Sequence, residues 1–457
     1  MSGERPINAD EPAADAAAGA AAEKSEKEPG KAAAEQSKPT SPKPKPPRKP
    51  IPTALKLIGG AVVVAVAFIV AAVIGGGGGE NASGPEGPAP VPAGGETRTD
   101  QEAPPAHQAA TELGYPAFAT ANTTRIGGSD PASNAAAAAL AVFPATTPNQ
   151  RPAAVTLVDE GDWEAAVAAA VLMAAPVRAP LLFSAAGGPP EPTAEALDAL
   201  APEGSPATGG AAAFALGEVA DPDLSGAVTR VKGRGATAAA AVAGLRDRLT
   251  DSAPAHFVVA PSGQPGFAMP AAAWAARSGD PVLFAGRDDL PKATAMALKR
   301  HPKVPVFVLG PSSAISSQVV REIAGAGGSV NRVSGEDPAT NAVAFARYAK
   351  GSFGWNVNDP GHGFVVTRDD SPLDAAAAAP LSAAGTWGPL LLTDSAATLP
   401  AALRDYLLDV KPGYTSDPTR AFYNHVWLIG DQEAIGVEQQ AEINELAELA
   451  KIGDEEE

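Results

Sequence analysis

GFVVTRDDSPLDAAAAAPLSAAGTWGPLLLT, Gly363 to Thr393, holds the pattern that decides the fold. A short apolar run (Phe364 to Thr367) leads through acids to an alanine run opened by Pro372, and a second wholly apolar run follows at Leu390 to Leu392. Apolar runs of this length without polar alternation read as strands covered on both faces, and the alanine run between them as the crossover helix of a parallel βα unit. The succession stands twice more. Ala154 to Asp159 (AVTLVD) leads to Trp163 to Ala175 (WEAAVAAAVLMAA) and Pro180 to Phe183 (PLLF). His256 to Pro261 (HFVVAP) leads to Met269 to Ser278 (MPAAAWAARS) and Pro281 to Phe284 (PVLF).

Outward from these cores the copies keep the same order. Each is preceded by R-x-x-G, at Arg125 to Gly128, Arg230 to Gly233 and Arg332 to Gly335, with arginine spacings of 105 and 102 residues. Each closes with a further helix and an apolar strand ending on glycine, at Gly217, Gly310 and Gly430. A period near 100 residues built this way predicts an α/β protein of three tandem βα repeats with parallel sheets and right-handed crossovers. The repeats are expected at 124–228, 229–330 and 331–449, followed by a solvated acidic tail at 450–457.

The 457-residue chain has no cysteine, which removes disulfides, thiol nucleophiles and Cys-ligated zinc or iron–sulfur centres. Its formal charge of −18 is unevenly spread: residues 1–56 carry ten basic and eight acidic groups, leaving −20 for the rest. An acidic balance of that size excludes nucleic acid as a general partner. Lys38 to Lys56 holds six basic groups and no acid, and Leu57 to Gly75 then runs without charge. As a helix that run spans about 28 Å, enough for a hydrocarbon core. Basic residues before it and Glu80 after it place the N-terminus in the cytoplasm and the repeats outside. Residues 1–56 are expected as a disordered cytoplasmic tail, 57–75 as one transmembrane helix and 76–123 as a Gly/Pro-rich linker.

The threefold succession of R-x-x-G, alanine-rich helix, apolar strand, acid before an alanine run, Pro-led strand and Gly-ended strand resembles the cell wall-binding repeat type 2 family, over residues 124–449. Asp374 before its alanines and Leu390-Leu391-Leu392 after Pro389 match the family's elements most closely. Glu164 takes the place of Asp374 in the first repeat, and Ala268 takes it in the second. The family's D-R-x-x-T-A is reduced to Asp130-Pro-Ala-Ser-Asn-Ala and Asp337-Pro-Ala-Thr-Asn-Ala. The resemblance implies a pseudo-threefold arrangement of α/β subdomains and non-covalent attachment to an anionic glycopolymer or peptidoglycan-associated polymer of the cell wall. The −20 ectodomain opposes a polyanion, so such contacts would need local basic groups.

Candidate polymer contacts are Arg125, Arg230 and Arg332, as guanidinium forks for phosphate or carboxylate, with Asp374 and Leu390, Leu391 and Leu392. The alternative for the arginines is a structural tie at the repeat junctions. Asp159, Asp369 and Asp370 fall at strand ends, where open parallel sheets bind ligands, and could hold a divalent cation; as N-caps and first-turn acids they need no ligand. Gly310 and Gly430 lack the surrounding signature of a phosphate loop and read as tight turns. The five histidines are scattered, no G-x-S-x-G elbow is present, and nothing nominates a catalytic triad or a cofactor. The expected function is therefore non-catalytic: a membrane-anchored envelope protein whose repeats bind cell-wall polymer or scaffold envelope partners. The alternatives are a divalent-metal-dependent envelope enzyme using the strand-end carboxylates of the first and third repeats, and a spacer or protein-docking module made of decayed repeats.

Overall fold

The computed structural model describes residues 118–452 apart from residue 386. The segments expected as cytoplasmic tail and membrane helix, most of the expected linker and the end of the expected acidic tail lie outside those residues. No helix among the described residues is long and apolar enough to cross a membrane.

The chain opens with β1 (Phe118–Ala119), β2 (Thr123–Ile126), α1 (Pro131–Val142), β3 (Val155–Asp159), α2 (Trp163–Ala169), β4 (Leu181–Ser184), α3 (Glu191–Leu200), β5 (Ala211–Leu216) and β6 (Ala227–Val231). It continues through α4 (Gly235–Thr250), β7 (Phe257–Pro261), α5 (Pro265–Ala268), α6 (Pro270–Ser278), β8 (Val282–Ala285), α7 (Lys292–Arg300), β9 (Val306–Leu309), α8 (Ser317–Ala326) and β10 (Val330–Val333). The last stretch holds α9 (Pro338–Arg347), β11 (Gly363–Arg368), α10 (Pro372–Ala383), β12 (Leu390–Thr393), α11 (Ala401–Asp409), β13 (Gly413–Tyr414), β14 (His425–Ile429), α12 (Val437–Ala447) and β15 (Ala450–Lys451).

Three parallel sheets share one strand order: β4-β3-β5-β6, β8-β7-β9-β10 and β12-β11-β14-β2. The α/β class and the parallel βα units are as the periodicity predicts. The strands β3 to β5, β7 to β9, and β12 are almost entirely buried, as runs of Val, Leu and Phe without polar alternation require.

The repeat in sequence and the sheet in space are offset by one strand. Each R-x-x-G arginine stands on the edge strand that closes the preceding sheet: Arg230 on β6, Arg332 on β10. The third sheet has no marker strand after it, and β15 pairs with β13 instead. Its edge is taken by β2, which pairs with β14 from Thr123 opposite Val426 to Ile126 opposite Ile429. The N-terminal strand thus completes the C-terminal sheet, and β1, inside the stretch read as linker, adds antiparallel outside it.

Alanine gathers where helices are covered on several sides. In α1 Ala132 and Ala135 to Ala139 are buried, and in α10 Ala375 to Ala379 are buried. α10 packs against α1, α2 and α6, so it meets helices from all parts of the chain and leaves room only for small side chains. Helix starts follow local chemistry. Asp130, Asp162 and Asp337 each accept from the backbone N–H three residues on, with Pro131 and Pro338 at the first helical position.

Candidate functional site

The three marker arginines perform one structural task. Arg125 Nη1 donates to the carbonyls of Gly430 (3.0 Å) and Asp431 (2.6 Å), and Nη2 to the carbonyl of Ile435 (2.6 Å) and Gln440 Oε1 (2.8 Å). Arg332 donates to the carbonyls of Gly310 (2.5 Å) and Ile315 (2.7 Å), the matching positions of the matching loop. Arg230 holds the shorter loop after β5 through the carbonyl of Val219, and pairs with Asp221. Each guanidinium therefore clasps the turn that leaves the neighbouring strand. Those turns start at Gly217, Gly310 and Gly430, whose φ values of 76°, 91° and 103° favour glycine. Arg125 has no exposed surface, and burial lowers its pKa to about 10 against the raising effect of Asp431. The expectation of a free fork for polymer is thereby corrected at Arg125: both terminal nitrogens are engaged by the turn and by Gln440. Arg332 is half-buried and Arg230 exposed.

Asp374 and its counterparts sit at junctions between repeats. Asn134 Nδ2 donates to Asp374 Oδ1 at 2.8 Å, while Asn134 Oδ1 accepts from the N–H of Gly128. In the first repeat the N-cap Asp162 accepts from Gly235 N–H at 2.8 Å, and Glu164 accepts from Ala236 N–H. In the second, where Ala268 has no carboxylate, Asn341 Nδ2 reaches the carbonyl of Phe267 at 3.4 Å. The degraded D-x-x-x-N and the acid before alanine are thus two halves of one joint. Burial raises Asp374 to about 6 and Glu164 to about 7.

Leu390, Leu391 and Leu392 form β12 and are at most 1% exposed, so they are core and not polymer contacts. Asp159 accepts from Gly161 N–H and lies 3.4 Å from Arg234, while Asp370 lies 3.2 Å from Arg368. Burial, then neighbouring Asp370, raises Asp369. Among the described residues no three acids or histidines converge as a metal-holding group.

A concave feature lies elsewhere, in a cleft of about 420 Å³ lined by His256, Trp274, Arg277, Asp280, Ser352, Trp355 and Trp387 among others. It is built by the loop between α9 and β11, whose Phe353 stacks on Phe307 of β9 and whose Trp355 packs edge-on to Trp274. Trp274 and Trp355 are nearly covered, whereas Trp387 is partly exposed with the Arg277 guanidinium 4.1 Å over its ring. Beneath them Asp280, 2% exposed, accepts from His256 N–H (2.9 Å) and Trp274 Nε1 (2.9 Å), and lies 3.0 Å from His256 Nδ1. Ser352 Oγ stands 3.4 Å from His256 Nε2. None of these residue types recurs at the matching positions of the other repeats, so the period that exposes the fold hides the cleft. The available signal was compositional: three of the five tryptophans of a chain with 5% aromatics meet here.

No family model matches the chain, and no curated protein matches it. Solved structures do. Cwp6 from Clostridium difficile is similar with a TM-score of 0.56 at 19% identity, over 72% of this chain and 48% of that one. Cwp8 from Clostridium difficile is similar with a TM-score of 0.51 at 18% identity, over 72% and 52%. The chain thus matches about half the length of either protein, and likeness at this identity shows the fold.

Proposed function

We propose that this chain is a cell-envelope protein whose three α/β repeats, in a pseudo-threefold arrangement, bind a cell-wall glycan in the tryptophan cleft. The repeats stand on the Gly/Pro-rich linker outside the membrane, held by the helix at Leu57 to Gly75 with the N-terminus in the cytoplasm. The observation that carries the reading is the meeting of Trp274, Trp355 and Trp387 with Arg277 around one concavity. Ligand sites are concave and mainly aromatic, with a few convergent polar groups that fix orientation. The partly exposed Trp387 offers apolar indole surface to a sugar ring, and Arg277 over that ring supplies the local cation that an acidic ectodomain needs to meet an anionic polymer. The resemblance to cell wall-binding repeats and the fold likeness to Cwp6 and Cwp8 support the envelope setting.

The test is co-sedimentation of the purified full chain with isolated cell walls across a salt series. Retention above control is expected for the wild type, and Trp387→Ala should weaken it about tenfold, the loss of about 1.4 kcal/mol. No retention at any salt concentration, or equal retention of the variant, would overturn the assignment.

A further inference from the structure

We infer that the cleft is also hydrolytic, with Ser352 as nucleophile, His256 as general base and Asp280 as the residue that positions it, acting on an acyl ester carried by a carbohydrate. The inference rests on the cleft being the glycan site, which supplies the carbohydrate half of the substrate. The chemistry comes from the three side chains.

Asp280 takes both N–H groups of His256: the backbone N–H on Oδ1 at 2.9 Å and Nδ1 beside Oδ2 at 3.0 Å. Two bonds from one residue to one buried carboxylate orient the imidazole and place its proton on Nδ1, which leaves Nε2 as the basic nitrogen. The indole of Trp274 donates to the same Oδ2 and holds the carboxylate in turn. Nε2 then faces Ser352 Oγ at 3.4 Å, a separation that tightens when substrate binds.

Ser352 sits at the tip of a tight turn in which Lys350 and Phe353 bond each other's backbone, with Gly351 at φ 63°. The turn is clamped from below by Phe353 among Phe307, Phe345 and Trp274. A solvent-exposed serine on a rigid tip, bonded among the described residues only to a buried His–Asp pair, has the geometry of an activated nucleophile. A triad is recognised by geometry and roles, and chain order carries no weight.

The step balances with water alone. Ser352 Oγ attacks the ester carbonyl carbon while its proton passes to His256 Nε2. The carbonyl oxygen carries the negative charge, and Arg277 in the same cleft supplies the opposing charge. The C–O bond to the carbohydrate breaks, and the leaving oxygen takes the proton from Nε2. Water then gives a proton to Nε2 as its oxygen attacks the acyl-serine. Ser352 leaves and regains that proton, so one ester and one water give one acid and one alcohol.

The experiment treats the purified full chain with a fluorophosphonate probe and locates the adduct by peptide mass spectrometry, alongside hydrolysis of p-nitrophenyl acetate. The expected result is an adduct on Ser352, absent in Ser352→Ala, with labelling and hydrolysis slowed about a thousandfold or more in His256→Gln. Ser352 is exposed at a turn tip, so Ser352→Ala folds irrespective of the fate of the buried His256 variant. Asp280→Asn should slow labelling and shift its pH–rate profile, with part of the rate recovered by Asp280→Glu. An unlabelled wild type, or Ser352→Ala labelled like the wild type, would overturn the assignment. Labelling needs no glycan and wall retention needs no nucleophile, so the two readings fail separately.

Discussion

Asp374 lies at the mouth of an alanine helix, where the sequence places a ligand and the structure places a joint. Burial raises its pKa from 3.8 to about 6, with Asp130, Asp370 and Asp431 adding to the rise and the Asn134 hydrogen bond opposing it. The folded chain holds this proton more tightly than the unfolded chain. Its contribution to stability is therefore fully present below pH 3.8 and is lost as the pH rises through about 6. Asp374→Asn keeps an acceptor for Asn134 and removes the titration. It should raise stability by about 1–3 kcal/mol at neutral pH and change little at about pH 4. Urea unfolding at the two pH values checks this; an unchanged pH dependence would assign the effect to another group. Glu164, raised to about 7 at the next junction, follows the same sign over a slightly higher window. The arginines teach the same lesson from the other charge. Their recurrence was legible, but whether a guanidinium faces solvent or a turn depends on the carbonyls around it, which the sequence does not place.

At the scale of the element, strand and helix types were legible because their cause is local. Val-Leu-Phe runs specify doubly covered strands, and Asp-Pro starts specify helix caps. The alanine content had a legible reason too, close packing, although its extent was not. α10 is buried along its length and lies among α1, α2 and α6. Ala377 has no exposed surface there, so Ala377→Leu adds three carbons where no space is left. The expected cost is about 1–3 kcal/mol, read as a lower urea midpoint with an unchanged slope. A cost below about 0.5 kcal/mol would mean that α10 can shift within its neighbours. The loop between α9 and β11 was the element that sequence reasoning passed over. Its Phe353 and Trp355 carry no period, and only their packing against β9 and α6 turns it into the wall of a cleft.

Across the whole described fold the decisive feature is the exchange of one strand. β2 fills the edge beside β14, and Arg125, Thr123 and Asn122 tie it to α12 and the turn before it. A chain starting at residue 127 would leave the β14 edge unpaired and the carbonyls of Gly430 and Ile435 without their donor. Such a truncation should lower the unfolding midpoint, speed amide exchange in β14 and promote association through the bare edge. Exchange in β14 no faster than in β9 would show that the third sheet is complete without its N-terminal strand.

The sequence by itself determined the class of fold, the three copies of the βα succession and the absence of thiol chemistry. Those follow from side-chain period and composition, which are properties of neighbours along the chain. Tertiary structure alone decided that each arginine clasps a turn, that the first strand closes the last sheet, and that His256, Asp280 and Ser352 meet under three tryptophans. These are contacts between residues from 11 to more than 300 positions apart. Their partners are chosen by burial and hydrogen-bond satisfaction in the folded chain, and no local pattern encodes that choice.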